Sequence, residues 1–153
     1  MSQEINAKDV MKLRNQTGLS MMECKKALAE AGGNFEKAED ILRKAMKGKM
    51  DTKTDRPAGE GRIGIAVSPT GAAAAIVEVR AETDFTAKNE KFVDAVNAVA
   101  KAALGQHAGD VPVFAEATKQ VDELRISTGE NCSYARGHKL AGAEGKSSFG
   151  TYV

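Results

Sequence analysis

The segment Glu82–Phe92 reads ETDFTAKNEKF and sets an acidic residue beside an aromatic one, directly after the apolar run Ala72–Val79. The pair Asp84-Phe85 falls where a strand should end and a helix begin. Two chemistries suit it. Thr83 or Asp84 can cap a helix with Phe85 tucked beneath it. Alternatively the regular helix starts later, with Asn89 as its cap, and the pair projects from a turn toward a partner. The residues alone leave both readings open. The neighbouring carboxylates Glu78, Glu82 and Asp84 would suit acid–base catalysis, but a solvated strand edge accounts for the same three.

Other catalytic arrangements are missing from the chain. It has no GxSxG, no HExxH, no phosphate-cradling glycine loop and no cysteine with a histidine close in sequence. Gly59-Glu60-Gly61-Arg62 lacks the further glycines and helix start of a nucleotide loop. Cys24 and Cys132 lie far apart, and with only His107 and His138 beside them they suggest neither a zinc site nor a disulfide. Two buried or half-buried thiols are expected, and no cofactor or metal.

A second unusual feature is Gly18-Leu19-Ser20-Met21-Met22. Adjacent helical positions point about 100° apart, so Met21 and Met22 cannot both face one small core. Either one packs and the other is incidental, or the two form an adaptable apolar contact surface. Arg14 can add charge and stem packing at the rim of such a surface. The basic runs Lys25-Lys26 and Arg43–Lys47 lack aromatic interleaving, and the net charge is only +1, so direct nucleic-acid binding is not expected.

These residues require elements to position them. The 153-residue chain suits one ordinary domain or a small one with an appended module. From Ala7 to Met46 it reads as three short helices. Val10, Leu13 and Arg14 fall at i, i+3 and i+4 on the first. Ser20 and Glu23 can form a capping box on the second, which Gly32-Gly33 stops. Asn34 can cap a third with Phe35, Ala38, Ile41, Leu42 and Ala45 inward. Residues 47–61, KGKMDTKTDRPAGEG, read as a linker.

The remainder, 62–153, reads as α+β. Arg62–Val67 and Ala72–Arg80 form a hairpin around the type I turn Ser68-Pro69-Thr70-Gly71. Phe92, Val96, Val99 and Ala103 mark an amphipathic helix, and a second runs from Phe114 to about Ile126 until Gly129 ends it. Asn131–Leu140 and Ser147–Val153 read as a second hairpin around Ala141–Lys146. The expected core is therefore helices packed on a small antiparallel sheet. No stretch approaches the ~20 consecutive apolar residues of a bilayer span. The start MSQEINAKDV lacks a secretory pattern. A cytoplasmic protein without membrane association is expected.

At this point a family resemblance enters. Leu13–Ala38, LRNQTGLSMMECKKALAEAGGNFEKA, closely resembles the N-terminal helical module of bacterial elongation factor Ts, which is similar to ubiquitin-associated domains. Ala81–Asn89 resembles the family's strand followed by ETDFVA and a basic residue. Thr128–Asn131 resembles its GEN segment, and Ser148–Tyr152 the strand ending in GSY.

The resemblance implies a three-helix ubiquitin-associated-like module at 1–46 and a core subdomain at 62–153. It implies guanine-nucleotide exchange on elongation factor Tu, a protein–protein activity rather than an enzymatic one. Thr83, Asp84, Phe85 and Thr86 would disturb the magnesium and phosphate sites of that GTPase, while Arg14, Met21 and Met22 dock it. A non-exchanging module that docks a translation partner or a ubiquitin-like fold is the alternative. The chain departs from the family pattern at Thr86, usually Val, and at Ala81, commonly Cys. It stops at Tyr152-Val153, where many members continue into a second core subdomain, so a short or truncated form is expected. Some short members pair as homodimers, and the same is expected here.

Overall fold

A computed structural model describes residues 5–153. The first four residues, which open the segment read above for a secretory signal, lie outside the described residues. The chain divides into two compact units, with the boundary between Thr54 and Asp55.

The first unit contains α1 (Ala7–Thr17), α2 (Met21–Glu30) and α3 (Phe35–Asp51). Its starts follow the capping chemistry of the sequence. The Asn6 side chain accepts from the Lys8 amide, and Asn34 from the Lys37 amide. Ser20 and Glu23 form both halves of a capping box. Gly18 ends α1 with φ +71°, a conformation glycine adopts without steric cost. Val10, Leu13, Leu19, Cys24, Ala27, Leu28, Ala38 and Leu42 form the small core. On α3 the inward row runs through Ala38, Leu42 and a half-buried Met46, leaving Ala45 exposed. That helix continues to Asp51 through Lys47–Lys49, residues expected in the linker. Lysines are good helix formers, and Lys49 reaches back to Glu23 on α2 at 3.2 Å.

The second unit is a four-stranded antiparallel sheet with helices packed on it. Its elements are β1 (Glu60–Val67), β2 (Ala73–Ala81), α4 (Asp84–Lys88), α5 (Glu90–Ala103), β3 (Gly109–Asp110), α6 (Ala115–Thr128) and β4 (Ser133–Ala141). The sheet order is β1-β2-β4-β3. The hairpin β1–β2 closes through the Gly71 amide donating to Ser68 O at 3.1 Å, as a type I turn does. Ala75, Val77, Val79 and Ala81 alternate onto the face covered by α5, whose Phe92, Val96, Val99 and Ala103 meet them. The alanines and Gly64 let α5 lie close. A Cβ on Gly64 would stand 2.7 Å from Val96 Cγ1. Helix α6 adds Ala117, Val121 and Leu124 to the same core.

The expected second hairpin does not form. β4 pairs with β2 along its length, and β3 occupies the middle of its other edge at Lys139 and His138. The returning segment instead turns back on the first hairpin. Gly142 N–H donates to Ala72 O, and Gly145 N–H to Thr70 O. Tyr152 and Val153 are almost fully exposed, with no strand at Ser147–Val153.

Candidate functional site

The Asp84-Phe85 corner is built at the end of β2. Ala81 is fully buried and fixes where the strand stops. Thr83 takes extended backbone angles, φ −125° and ψ 153°, and its hydroxyl accepts from the Thr86 amide at 3.3 Å. It thereby caps the five-residue helix α4. Asn89 then breaks the chain again, and its side chain accepts from the Lys91 amide to cap α5. Both candidate caps are used, one after the other.

Phe85 sits in the first turn of α4 and is 82 % exposed. It is not tucked beneath a helix. Asp84 pairs with Lys88 one turn on, at 2.8 Å. The Lys88 ammonium holds the Asp84 carboxyl below its usual range, and the lysine is raised in turn. The helix itself is tied down. Ala87 is buried against the sheet, and Arg62 Nη1 from β1 donates to Ala87 O at 3.2 Å. A five-residue helix has too few internal bonds to persist alone, so these ties decide its orientation.

A further tie comes from a distant segment whose role the spacing of residues did not reveal. The Glu130 carboxylate accepts from the amides of Glu82 and Thr83, at 3.1 and 3.2 Å, and from the Thr83 hydroxyl at 2.7 Å. Glu82 answers by accepting from the Asn131 amide at 2.7 Å. Asn131 is buried and donates through Nδ2 to Arg56 O at 2.8 Å. Burial works to raise the Glu130 carboxyl, but hydrogen bonds from Thr83, Thr86 and the two amides together hold it below the usual value. The only sequence signal was the GEN segment itself.

The three carboxylates considered for acid–base work face three different partners. Glu78 lies between Arg80 at 2.9 Å and Arg136 at 2.6 Å. Glu82 faces Asn131 and Arg56, and Asp84 faces Lys88. Among the described residues no group of three or more His, Cys, Asp or Glu side chains is placed to hold a metal ion. Both cysteines are buried and unpaired with each other. No helix of the described residues is long and apolar enough to cross a membrane.

In the first unit, Arg14, Met21 and Met22 are all exposed, on either side of the Gly18–Ser20 turn. Met22 is 83 % exposed, so α2 builds its core from Cys24, Ala27 and Leu28 instead. Met11 on α1 is also exposed. It stands three residues before Arg14 and thus on the same helix face, an apolar neighbour that the sequence reading passed over.

One more surface is open. On the sheet face opposite α5, Ile63 and Ile65 of β1, Ile76 of β2 and Leu140 of β4 share one side by register. Ile63, Ile76 and Leu140 are exposed. Beside them His138 Nδ1 contacts Asp110 at 2.9 Å.

No protein-family model matches the chain. It is similar to elongation factor Ts from several bacteria. It is 42% identical to that of Methylococcus capsulatus over 150 residues, covering 93% of this chain and 51% of the relative. With that of Thiobacillus denitrificans it shares 41% identity over 157 residues, covering 98% of this chain and 53% of the relative. The match to Stenotrophomonas maltophilia reaches 51% identity over 108 residues, 71% of this chain and 36% of the relative. The chain spans about half the length of the curated relatives that it matches over nearly all of its own residues.

Proposed function

The chain belongs to the elongation factor Ts family, and from that membership and its exposed corner we propose that it acts in translation elongation as a guanine-nucleotide exchange factor for elongation factor Tu. The observation that carries this reading is Phe85, a large aromatic left 82 % exposed on a helix tied to its own sheet. Folding gains nothing from that placement. A partner that buries the ring does.

The proposed action is a wedge. Magnesium demands near-octahedral oxygen geometry and bridges nucleotide phosphates to a GTPase. Asp84 and Phe85, flanked by Thr83 and Thr86, displace the elements that support the metal and phosphates of elongation factor Tu, so nucleotide and metal loosen together. The exchange factor contributes no cofactor of its own and breaks no covalent bond. A ~10⁴-fold weakening of GDP needs about 5.5 kcal/mol of differential binding. One inserted aromatic supplies only ~1.5–3 kcal/mol. Arg14, Met21 and Met22 of the N-terminal helical module therefore supply docking contacts in addition. In this reading α1–α3 form the docking module, residues 52–59 join it to the core, and the core from β1 onward presents the wedge in the cytoplasm.

Release of labelled GDP from elongation factor Tu tests the proposal. Acceleration that rises and saturates with chain concentration is the expected result. Binding without acceleration would overturn it in favour of a docking module. The reading also includes pairing of two copies through the open sheet face, where Ile63, Ile76 and Leu140 form an exposed apolar row. Light scattering should give twice the chain mass for the wild type and a single mass for Ile76→Lys. A single mass for both would exclude the pairing.

A further inference from the structure

Glu130 stands 47 residues beyond Thr83 in sequence, yet its carboxylate takes three of the hydrogen bonds that define how α4 begins. Its own placement is fixed from behind. Gly129 ends α6 in the left-handed region at φ +68°, and the Glu130 amide donates to the Thr128 hydroxyl at 3.2 Å. The Thr83 hydroxyl connects the two sides. It donates to Glu130 Oε1 and accepts from the Thr86 amide, so the carboxylate dictates which way the cap points.

The fold does not need this arrangement for its core. Thr83 is exposed and Glu130 is only half-buried, while Ala81 and Ala87 on either side carry the apolar burial. What the bonds do fix is the backbone of Glu82 and Thr83, immediately before Asp84-Phe85. Without them the first turn of α4 would keep Ala87 and Arg62 as ties at its end and lose the tie at its start.

We propose that Glu130 is a positioning residue for exchange, a clamp that holds the N-terminus of α4 so that Phe85 meets its partner in one orientation. The proposal rests on the exchange function argued above and adds a residue to its machinery. Glu130 touches neither the GTPase nor its nucleotide in this scheme. It acts through Thr83. Preorganisation of this kind changes the rate reached in the complex more than the affinity of the complex, because most of the docking surface is untouched.

The test compares wild type with Glu130→Gln, which keeps the side chain's shape but replaces one accepting oxygen with an NH2 that can only donate, so it cannot accept from both the two backbone amides and the Thr83 hydroxyl. Three measurements are taken: amide hydrogen exchange at Glu82, Thr83 and Thr86, the maximal rate of labelled-GDP release, and the chain concentration giving half that rate. The clamp predicts that amide exchange quickens about tenfold at Glu82 and Thr83, while the thermal midpoint stays close to wild type. It also predicts a maximal rate lower by roughly three- to tenfold, with the half-saturating concentration within about twofold. Thr83→Val removes the same link from the other side. Combined with Glu130→Gln it should add little further loss, because both break one network.

An unchanged maximal rate in Glu130→Gln, or fully additive losses in the double variant, would overturn the clamp and leave the exchange function standing. Absence of any acceleration by the wild type would overturn the exchange function, and the clamp with it.

Discussion

Replacing Phe85 with alanine separates a wedge from a core residue. The ring is 82 % exposed in the free chain, so its removal should leave stability within about 0.5 kcal/mol of wild type. Burying a whole phenylalanine is worth about 1.5–3 kcal/mol. Scaling by the 82 % still available leaves about 1.2–2.5 kcal/mol for a partner to gain. At 1.36 kcal/mol per factor of ten, that is roughly an 8- to 70-fold effect. If the ring is driven in only as GDP leaves, the whole effect falls on the maximal rate of release, and the half-saturating concentration barely moves. Stopped-flow release of labelled GDP at saturating chain measures the first quantity, and its concentration dependence the second. Wild-type speed in the saturated Phe85→Ala complex would refute the wedge. A large fall in the thermal midpoint of the free variant would instead refute the exposure on which the estimate rests.

Three further outcomes follow from the same structure. Glu23 and Glu78 both hold their carboxyls below the usual value of 4.5, the first through Ser20 and Lys49 and the second through Arg80 and Arg136. A folded-state value below the unfolded one means that the contribution is complete above about pH 4.5 and lost as pH falls through the folded-state values. The urea midpoint should therefore hold from pH 7 to about 5 and drop below 4.5, and a rise in that acid range would contradict the assignment. Cys132 is buried and its thiol is pushed up to about 11, so native chain should resist a thiol reagent at pH 8 until urea exposes it together with Cys24. Rapid labelling of Cys132 in the native state would refute this. Gly64→Ala drives a methyl to 2.7 Å from Val96 Cγ1 and 2.9 Å from Val96 O, and should cost about 1–3 kcal/mol by urea unfolding. Unchanged stability would show that α5 does not lie so close to β1.

Local chemistry was well written in the sequence. The capping box of Ser20 and Glu23, the Asn34 cap, the turn at Ser68–Gly71 and the stop at Gly129 all depend on residues within a few positions of one another. So does the period of Phe92, Val96, Val99 and Ala103. Long-range competition was not legible. Ser147–Val153 has enough Phe, Tyr and Val to read as a strand, but the edge of β4 that it would need is held by β3, a two-residue element with no sequence signature. The extension of α3 to Asp51 brings Lys49 to Glu23, a contact across 26 residues that no local pattern shows.

The candidate site divides along the same line. Thr83 and Asn89 were rival caps in the sequence because each satisfies the local rule. The structure uses both, since a five-residue helix fits between them. Whether Phe85 points inward or outward depends on tertiary surroundings, namely Ala87 filling the core position and Arg62 holding its carbonyl. Glu130 was visible only as part of a quoted segment. Its grip on Thr83 spans 47 residues, and no spacing rule relates the two.

The central claim is differential binding, and linkage makes it directly measurable. A factor that loosens GDP on elongation factor Tu must itself bind the nucleotide-free form more tightly than the GDP-loaded form, by the same factor. Calorimetric titration of the chain onto both forms gives the two affinities. The account predicts a marked preference for the nucleotide-free form, equal to the measured loss of GDP affinity. Equal affinity for the two forms would contradict it, however tightly the chain bound to either.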